Sequence, residues 1–195
     1  MTDIATNLAG ARTVLVCAPS LSGDEREVCS DLLLADDPAE TSVLWVTFRR
    51  DARACVDQWS AETDGRPRDA AVVAVGDTNE AVDVEWAAVE TLPSASDLTG
   101  LGIEIGESLS AWDGDLAVCF DSLTAMLQYV ELETAYEFIH TITGQFYAAN
   151  ARAHFHIDPT AHDPETVDSI ASVFDGVVTL GDGDARIRKR RLLGQ

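Results

Sequence analysis

Residues 14–25 open with an apolar run, Val14-Leu15-Val16-Cys17-Ala18. The run breaks at Pro19-Ser20-Leu21-Ser22-Gly23 and gives way to a helical pattern from Asp24. A strand of hydrophobes with no polar alternation is buried on both faces, and such strands belong to parallel sheets covered by helices. The rest of the chain repeats this arrangement. Further strands are expected at residues 41–48, 70–75, 116–120, 153–157 and 176–180. Between them the spacing predicts helices at 24–34, 52–60, 97–112, 131–149 and from 163 to about 174. Asp51 is placed to cap the second helix, and Asp163-Pro164-Glu165 has the acid, proline and negative charge of a helix start. Residues 79–96 read as loop-rich. A turn at 181–184 leads into a basic final strand at 185–193. The expected class is α/β: a mainly parallel sheet with helices on both faces and a C-terminal antiparallel edge hairpin, in one domain of 195 residues.

The turn after the first strand has the outline of a phosphate-binding loop with reversed chemistry. The pattern G-x-x-x-x-G-K-[ST] would put glycine at 18 and 23, lysine at 24 and a hydroxyl at 25. The chain has Ala18, Gly23, Asp24 and Glu25. A carboxylate stands where an ammonium should hold phosphates, and another where a hydroxyl should hold Mg²⁺. Carboxylates suit the first turn of a helix but repel a triphosphate. The next strand ends in Phe48-Arg49-Arg50, and residues 116–121 form an apolar strand closing on Asp121, followed by Ser122. Such an acid can orient Mg²⁺. Pairing of Asp24 or Glu25 with Arg49 or Arg50 would put an internal ion pair where Mg-nucleotide would sit. The competing reading is solvated surface charge.

That alternative has weight because the chain is acidic throughout, with net charge −21 and Lys189 as its single lysine. A dense carboxylate surface with almost no lysine reads as adaptation to high salt, as in haloarchaea. There salt screens the repulsion and the carboxylates keep the protein hydrated. The same field disfavours nucleic acid, whose phosphates need neutralising. No signal peptide is evident, no apolar run approaches the roughly 18 residues of a membrane span, and a cytoplasmic protein is expected. The 46% apolar content supports a packed core rather than a disordered acidic chain. Cys17, Cys29, Cys55 and Cys119 show no C-x-x-C spacing and read as small buried hydrophobes.

The strand and turn at 14–23, the strand Val43-Leu44-Trp45-Val46-Thr47-Phe48, the motif Phe120-Asp121-Ser122-Leu123-Thr124 and the ending Arg186-Ile187-Arg188-Lys189-Arg190 together resemble the RecA/KaiC-like branch of the P-loop ATPases. The resemblance covers roughly residues 10–193. It extends to a haloarchaeal KaiC-like group of unknown function with a degraded loop, which the stretch from His154 to Asp163 also fits. It implies a RecA-like sheet. It also implies that the loop lysine would fall at Asp24 and the Mg²⁺ hydroxyl at Glu25. The paired glutamates that supply the family's base fall where Arg49 and Arg50 stand, so only Asp121 survives. Lys189 would then be the basic residue that can reach a neighbouring subunit's nucleotide. On this resemblance the chain is a non-catalytic pseudo-ATPase, a regulatory or scaffolding interaction domain without a cofactor. A nucleotide sensor that binds without hydrolysis is the alternative.

Two further groups stand out. His154 and His156 alternate on one strand face, with His162, Asp158 and Asp163 close behind. Asp158-Pro159 as a turn and Asp163 as a helix cap account for the acids, so no metal site is expected and the three histidines are its only candidates. Arg186, Arg188, Lys189, Arg190 and Arg191 hold five of the 13 basic residues. They read either as an edge strand protected by charge or as a strip for an acidic protein partner or self-association. A Ser/His/Asp hydrolase built on Ser122 lacks the G-x-S-x-G turn.

Overall fold

The computed structural model describes residues 4–20, 23–34, 37–76, 84–181 and 184–190. The elements run α1 (Ile4–Asn7), β1 (Thr13–Cys17), α2 (Gly23–Leu33), β2 (Thr41–Thr47), α3 (Ala52–Glu62), β3 (Ala70–Val75), β4 (Ala88–Leu92), α4 (Leu98–Ala111), β5 (Asp115–Asp121), α5 (Leu123–Met126), α6 (Leu132–Ala148), β6 (Arg152–Ile157), α7 (Pro164–Ala171), β7 (Gly176–Gly181) and β8 (Asp184–Lys189). Among the described residues eight strands form one sheet in the order β4-β3-β2-β5-β6-β1-β7-β8. All pairings are parallel except β7 with β8. This is the expected α/β sheet with its antiparallel C-terminal hairpin, and the architecture is RecA-like.

Hydrophobic continuity is what places the inner strands inside. β1, β2 and β3 are buried along their whole length, and β5 and β6 at all but the first residue. One face packs Leu15, Leu44, Val118 and Phe155 against Leu101 and Ile105 of α4, Ile139 and Phe146 of α6 and Ile170 of α7. Phe155 is fully buried there. It stacks on Phe120 at 5.0 Å between ring centroids and meets Phe174 edge-on at 5.0 Å. Truncating such a ring to alanine costs about 3–5 kcal/mol. The other face packs Val43, Trp45 and Val72 under α2 and α3, and Val14, Val16 and Val178 under α1 and α2.

Caps set several boundaries. Asp51 accepts from the Ala54 amide at 2.7 Å as expected, and Asp97 caps α4 by accepting from Gly100 at 2.8 Å. Asp163 occupies the N-cap of α7 with extended backbone but without a side-chain cap bond, and Pro164 fixes the first turn.

Three expectations are corrected. Residues 88–92 form an edge strand rather than loop, and residues 79–83 lie outside the described residues. The strand was hidden because Ala-Val-Glu-Thr-Leu is short, interrupted by Glu90 and Thr91, and mostly exposed, as befits a sheet edge. α7 ends at Ala171 rather than near 174, with the Ser172 amide donating back to Asp168. The final strand spans Asp184–Lys189, and residues 182–183 and 191–193 of the expected turn and strand lie outside the described residues.

Candidate functional site

β1, β2, β5 and β6 run parallel, so their carboxyl ends share one edge of the sheet. In open α/β sheets ligands bind at this edge, where the strand order switches. Arg49 and Arg50 follow β2, Asp121 ends β5, and Glu25 projects from the first turn of α2. These four meet. Arg49 donates through Nε to Asp121 Oδ1 at 2.5 Å and through Nη2 to Glu25 Oε1 at 3.0 Å, and Nη2 also contacts Asp121. Arg50 donates through Nε to Asp121 Oδ2 at 2.9 Å and through Nη1 to Gln58 Oε1 at 2.5 Å. Gln58 in turn donates to the Ser30 hydroxyl on α2 at 3.2 Å. The Arg49 and Arg50 amides donate to the Thr47 hydroxyl at 3.3 and 2.9 Å, which fixes the turn that aims both guanidiniums inward. The Asp121 side chain is only 2% exposed, so two arginines against two acids give a neutral, largely desolvated quartet. Burial opposes the Arg50 charge, but the surrounding groups, Cys119 and the Asp121 carboxylate, outweigh it and hold its pKa above the ordinary value.

The other loop positions lie apart from this quartet. Asp24 is exposed. Gly23 starts α2, and a Cβ there would meet nothing within 4 Å, so nothing in the packing demands glycine. Ala18 is buried and its amide donates to the Ile157 carbonyl. Ser122, joined to Asp121 by a cis peptide, caps α5 by accepting from the Ala125 amide at 3.2 Å.

The sequence sets Asp158 beside the histidines and then assigns it to a turn, yet it takes a loop amide. Ser20 N–H donates to its Oδ2 at 2.9 Å, and Thr160 donates to its Oδ1 from the amide and the hydroxyl. Partial burial raises the carboxyl, but the bonds from Thr160 and Ser20 prevail and bring it down to about 2. The Asp158 amide donates to Thr124 Oγ1, which also lies 3.1 Å from His162 Nε2.

His162 therefore stands with Thr124 and not with the strand histidines it was grouped with. His154 and His156 instead meet two cysteines. Cys119 on β5 is the register partner of His154 on β6, and Cys29 comes down from α2 one helical turn after Glu25. Cys29 Sγ lies 3.5 Å from Cys119 Sγ and 3.3 Å from His154 Nε2. One donor atom from each of Cys29, Cys119, His154 and His156 falls within 4.8 Å of all the others, and all four residues are buried. His156 Nδ1 is 3.2 Å from Glu25 Oε1, which ties this cluster to the quartet, while its Nε2 has no hydrogen-bond partner. All four cysteines are buried free thiols as expected, but Cys29 and Cys119 are not mere hydrophobes. The hydrogen bond with Cys119 pulls the Cys29 thiol far below its ordinary pKa, against the effect of burial and with help from His154, while Cys119 moves up. Burial lowers His154. Burial also works to lower His156, but Cys29 and Glu25 outweigh it and raise that imidazole to about 9.

Beside the quartet lies a cleft of about 450 Å³ between α2 and α3. Arg26, Arg49 and Arg50 line it, and so do Glu25, Asp57 and Glu62, so its charges cancel.

The sequence of residues 11–180 matches the profile of a family of unknown function, DUF7504. The chain belongs to that family. No protein of curated function matches it. Its fold is similar to those of three archaeal proteins of known structure. The Pyrococcus horikoshii OT3 protein PH0250 aligns with a TM-score of 0.59 at 12% identity, over 92% of this chain and 87% of that one. The flagellar accessory protein FlaH from Methanocaldococcus jannaschii aligns with a TM-score of 0.57 at 11% identity, over 92% and 78%. The KaiC-like protein PH0186 from Pyrococcus horikoshii OT3 aligns with a TM-score of 0.55 at 15% identity, over 93% and 80%. At these identities the likeness concerns the fold.

The basic end of this DUF7504 member is partly committed to its own body. Ile187 turns inward against the cluster under α1 and α2. Lys189 Nζ donates to the Ala9 carbonyl, and Arg190 donates through Nη1 to the Ser172 carbonyl at 3.2 Å. Arg186 and Arg188 are exposed on β8, and Arg191 lies outside the described residues. No helix among the described residues is long and apolar enough to cross a membrane.

Proposed function

We propose that this chain is a RecA-fold domain that has given up ATP hydrolysis and acts, in the cytoplasm of a halophile, as a regulatory or scaffolding partner for other proteins. The observation that carries this reading is the neutral quartet of Glu25, Arg49, Asp121 and Arg50 at the carboxyl edge of the sheet. Asp121 is the acid that would orient Mg²⁺, and both of its oxygens are taken by guanidiniums. The Ser20 amide, which could face a phosphate, is taken by the Asp158 carboxylate. A triphosphate entering here would have to break charge-assisted bonds while facing Asp24, Glu25 and Asp158, and no lysine lies nearby to repay it.

The alternative, a sensor that binds nucleotide without hydrolysis, would use the cleft between α2 and α3. The equal count of acids and arginines there gives no net attraction for phosphate. Titration calorimetry with Mg-ATP in high salt, alongside a phosphate-release assay, separates the readings. No heat and no turnover are expected. Saturable binding without turnover would favour the sensor, and turnover would overturn both.

A further inference from the structure

Cys29 and Cys119 belong to the apolar cluster under α2 and α3, and His154 and His156 of β6 meet them there, where nothing in the ATPase-like design calls for two thiols and two imidazoles. Burying four polar side chains together is costly unless their donors and acceptors are satisfied. Only part of that need is met: the thiols and His154 touch one another and His156 Nδ1 faces the Glu25 carboxylate at 3.2 Å, while Nε2 of His156, a residue 2% exposed, has no hydrogen-bond partner.

We infer that Cys29, Cys119, His154 and His156 form a closed tetrahedral site for a divalent transition metal ion, zinc by preference. The spacing fits. Tetrahedral bonds of about 2.3 Å to sulfur and about 2.0 Å to nitrogen put sulfurs about 3.8 Å apart and sulfur and nitrogen about 3.5 Å apart. The observed separations are 3.5 and 3.3 Å. The donor set fits too, since two thiolates with two imidazoles is a zinc combination and too soft for magnesium or calcium. Charge closes the argument. Two thiolates and a divalent cation sum to zero, which suits a site with no water and an apolar surround, and the two thiol protons leave to solvent on binding.

The surroundings extend the site in the way metal centres require. Glu25 Oε1, 3.2 Å from His156 Nδ1, would hold the tautomer that leaves Nε2 as the ligand. The same carboxylate binds Arg49, so a bound ion would be mechanically joined to the quartet at the sheet edge. With four protein ligands there is no open position for substrate, so the ion's role is structural. It pins α2 to β5 and β6 below the place where other proteins of this architecture carry a phosphate loop.

The test uses the full chain, purified reduced and without chelators in high salt. Elemental analysis should find one zinc per chain. Stripped protein titrated with Co²⁺ should develop thiolate-to-cobalt charge-transfer and tetrahedral d–d bands that saturate at one equivalent and vanish when Zn²⁺ is added. Cys29→Ser and His154→Ala should lose more than about tenfold in affinity, and Glu25→Gln about 10–100-fold. Cys55→Ser should bind as the parent does, since Cys55 lies outside the cluster. The parent titration stands even where a variant fails to fold. Absence of cobalt bands in the reduced parent, a Cys29–Cys119 disulfide in anaerobically prepared protein, or full binding by Cys29→Ser would overturn the inference. The nucleotide experiment is independent of every one of these readouts.

Discussion

Arg49 donates through Nε to Asp121 across 72 residues of sequence, at 2.5 Å, and so joins the turn after β2 to the last residue of β5. Asp121 also receives Arg50, and its side chain is almost fully buried. Removing the acid leaves Arg49 with only Glu25 and Arg50 with only the neutral Gln58, whereas removing Arg49 leaves the acid one partner. Asp121→Asn should therefore cost about 3 kcal/mol in chemical denaturation, and Arg49→Met less. The double variant should fall short of the sum by about 1–2 kcal/mol. Strict additivity would mean that the two side chains do not support each other.

Asp158 makes a second, local claim. Its carboxylate accepts the Ser20 amide, and a charge-assisted bond of this kind is worth about 1.5–3 kcal/mol. Asp158→Ala should speed hydrogen exchange of the Ser20 amide by roughly tenfold or more, while Asp158→Asn, which keeps an acceptor, should do so less. Unchanged exchange would show that the loop is held by other contacts.

The sheet was legible because β1, β3 and the middles of β2 and β5 are apolar runs, and the reversed charges were legible because strand ends place Arg49, Arg50 and Asp121 at known points of a parallel sheet. The edge strand at 88–92 was not, since Glu90 and Thr91 give it the look of a loop. The cysteine–histidine cluster was invisible for a different reason. Cys29 is 90 residues from Cys119 and 125 from His154, so no local spacing links them. They meet because α2 crosses β5 and β6, a pairing that depends on strand order. The only signal was the H-x-H on one strand face, and it pointed to His162 by proximity in sequence rather than to cysteines across the sheet.

Net charge of −21 has a direct thermodynamic consequence. Self-repulsion among exposed carboxylates is relieved when the Debye length shrinks from about 10 Å at 0.1 M salt to about 3 Å at 1 M. The buried quartet is shielded from that screening and loses little. The melting temperature should rise with KCl over this range, and the rise should persist in Asp121→Asn. A flat or falling curve would remove the halophilic reading.

Tyr147 and Asp175 offer a pH-dependent check on the fold. Asp175 is buried at the start of β7, where its Oδ2 accepts the amides of Arg12 and Thr13 at 2.9 and 3.1 Å, as well as the Tyr147 hydroxyl. Burial, then the bond to Asp175 and its negative charge, raise the Tyr147 phenol from 10.0 to about 12. A group whose pKa is higher when folded stabilises the protein fully below its unfolded value. That contribution is intact below pH 10 and disappears as pH climbs from 10 to about 12. Denaturation midpoints measured across that window should fall more steeply for the parent than for Tyr147→Phe, which has no proton to lose. Tyr147→Phe should also be the less stable of the two at pH 8, where the hydrogen bond is intact, by about 1 kcal/mol. Parallel pH curves for the two proteins would show that the phenol titrates as freely folded as unfolded.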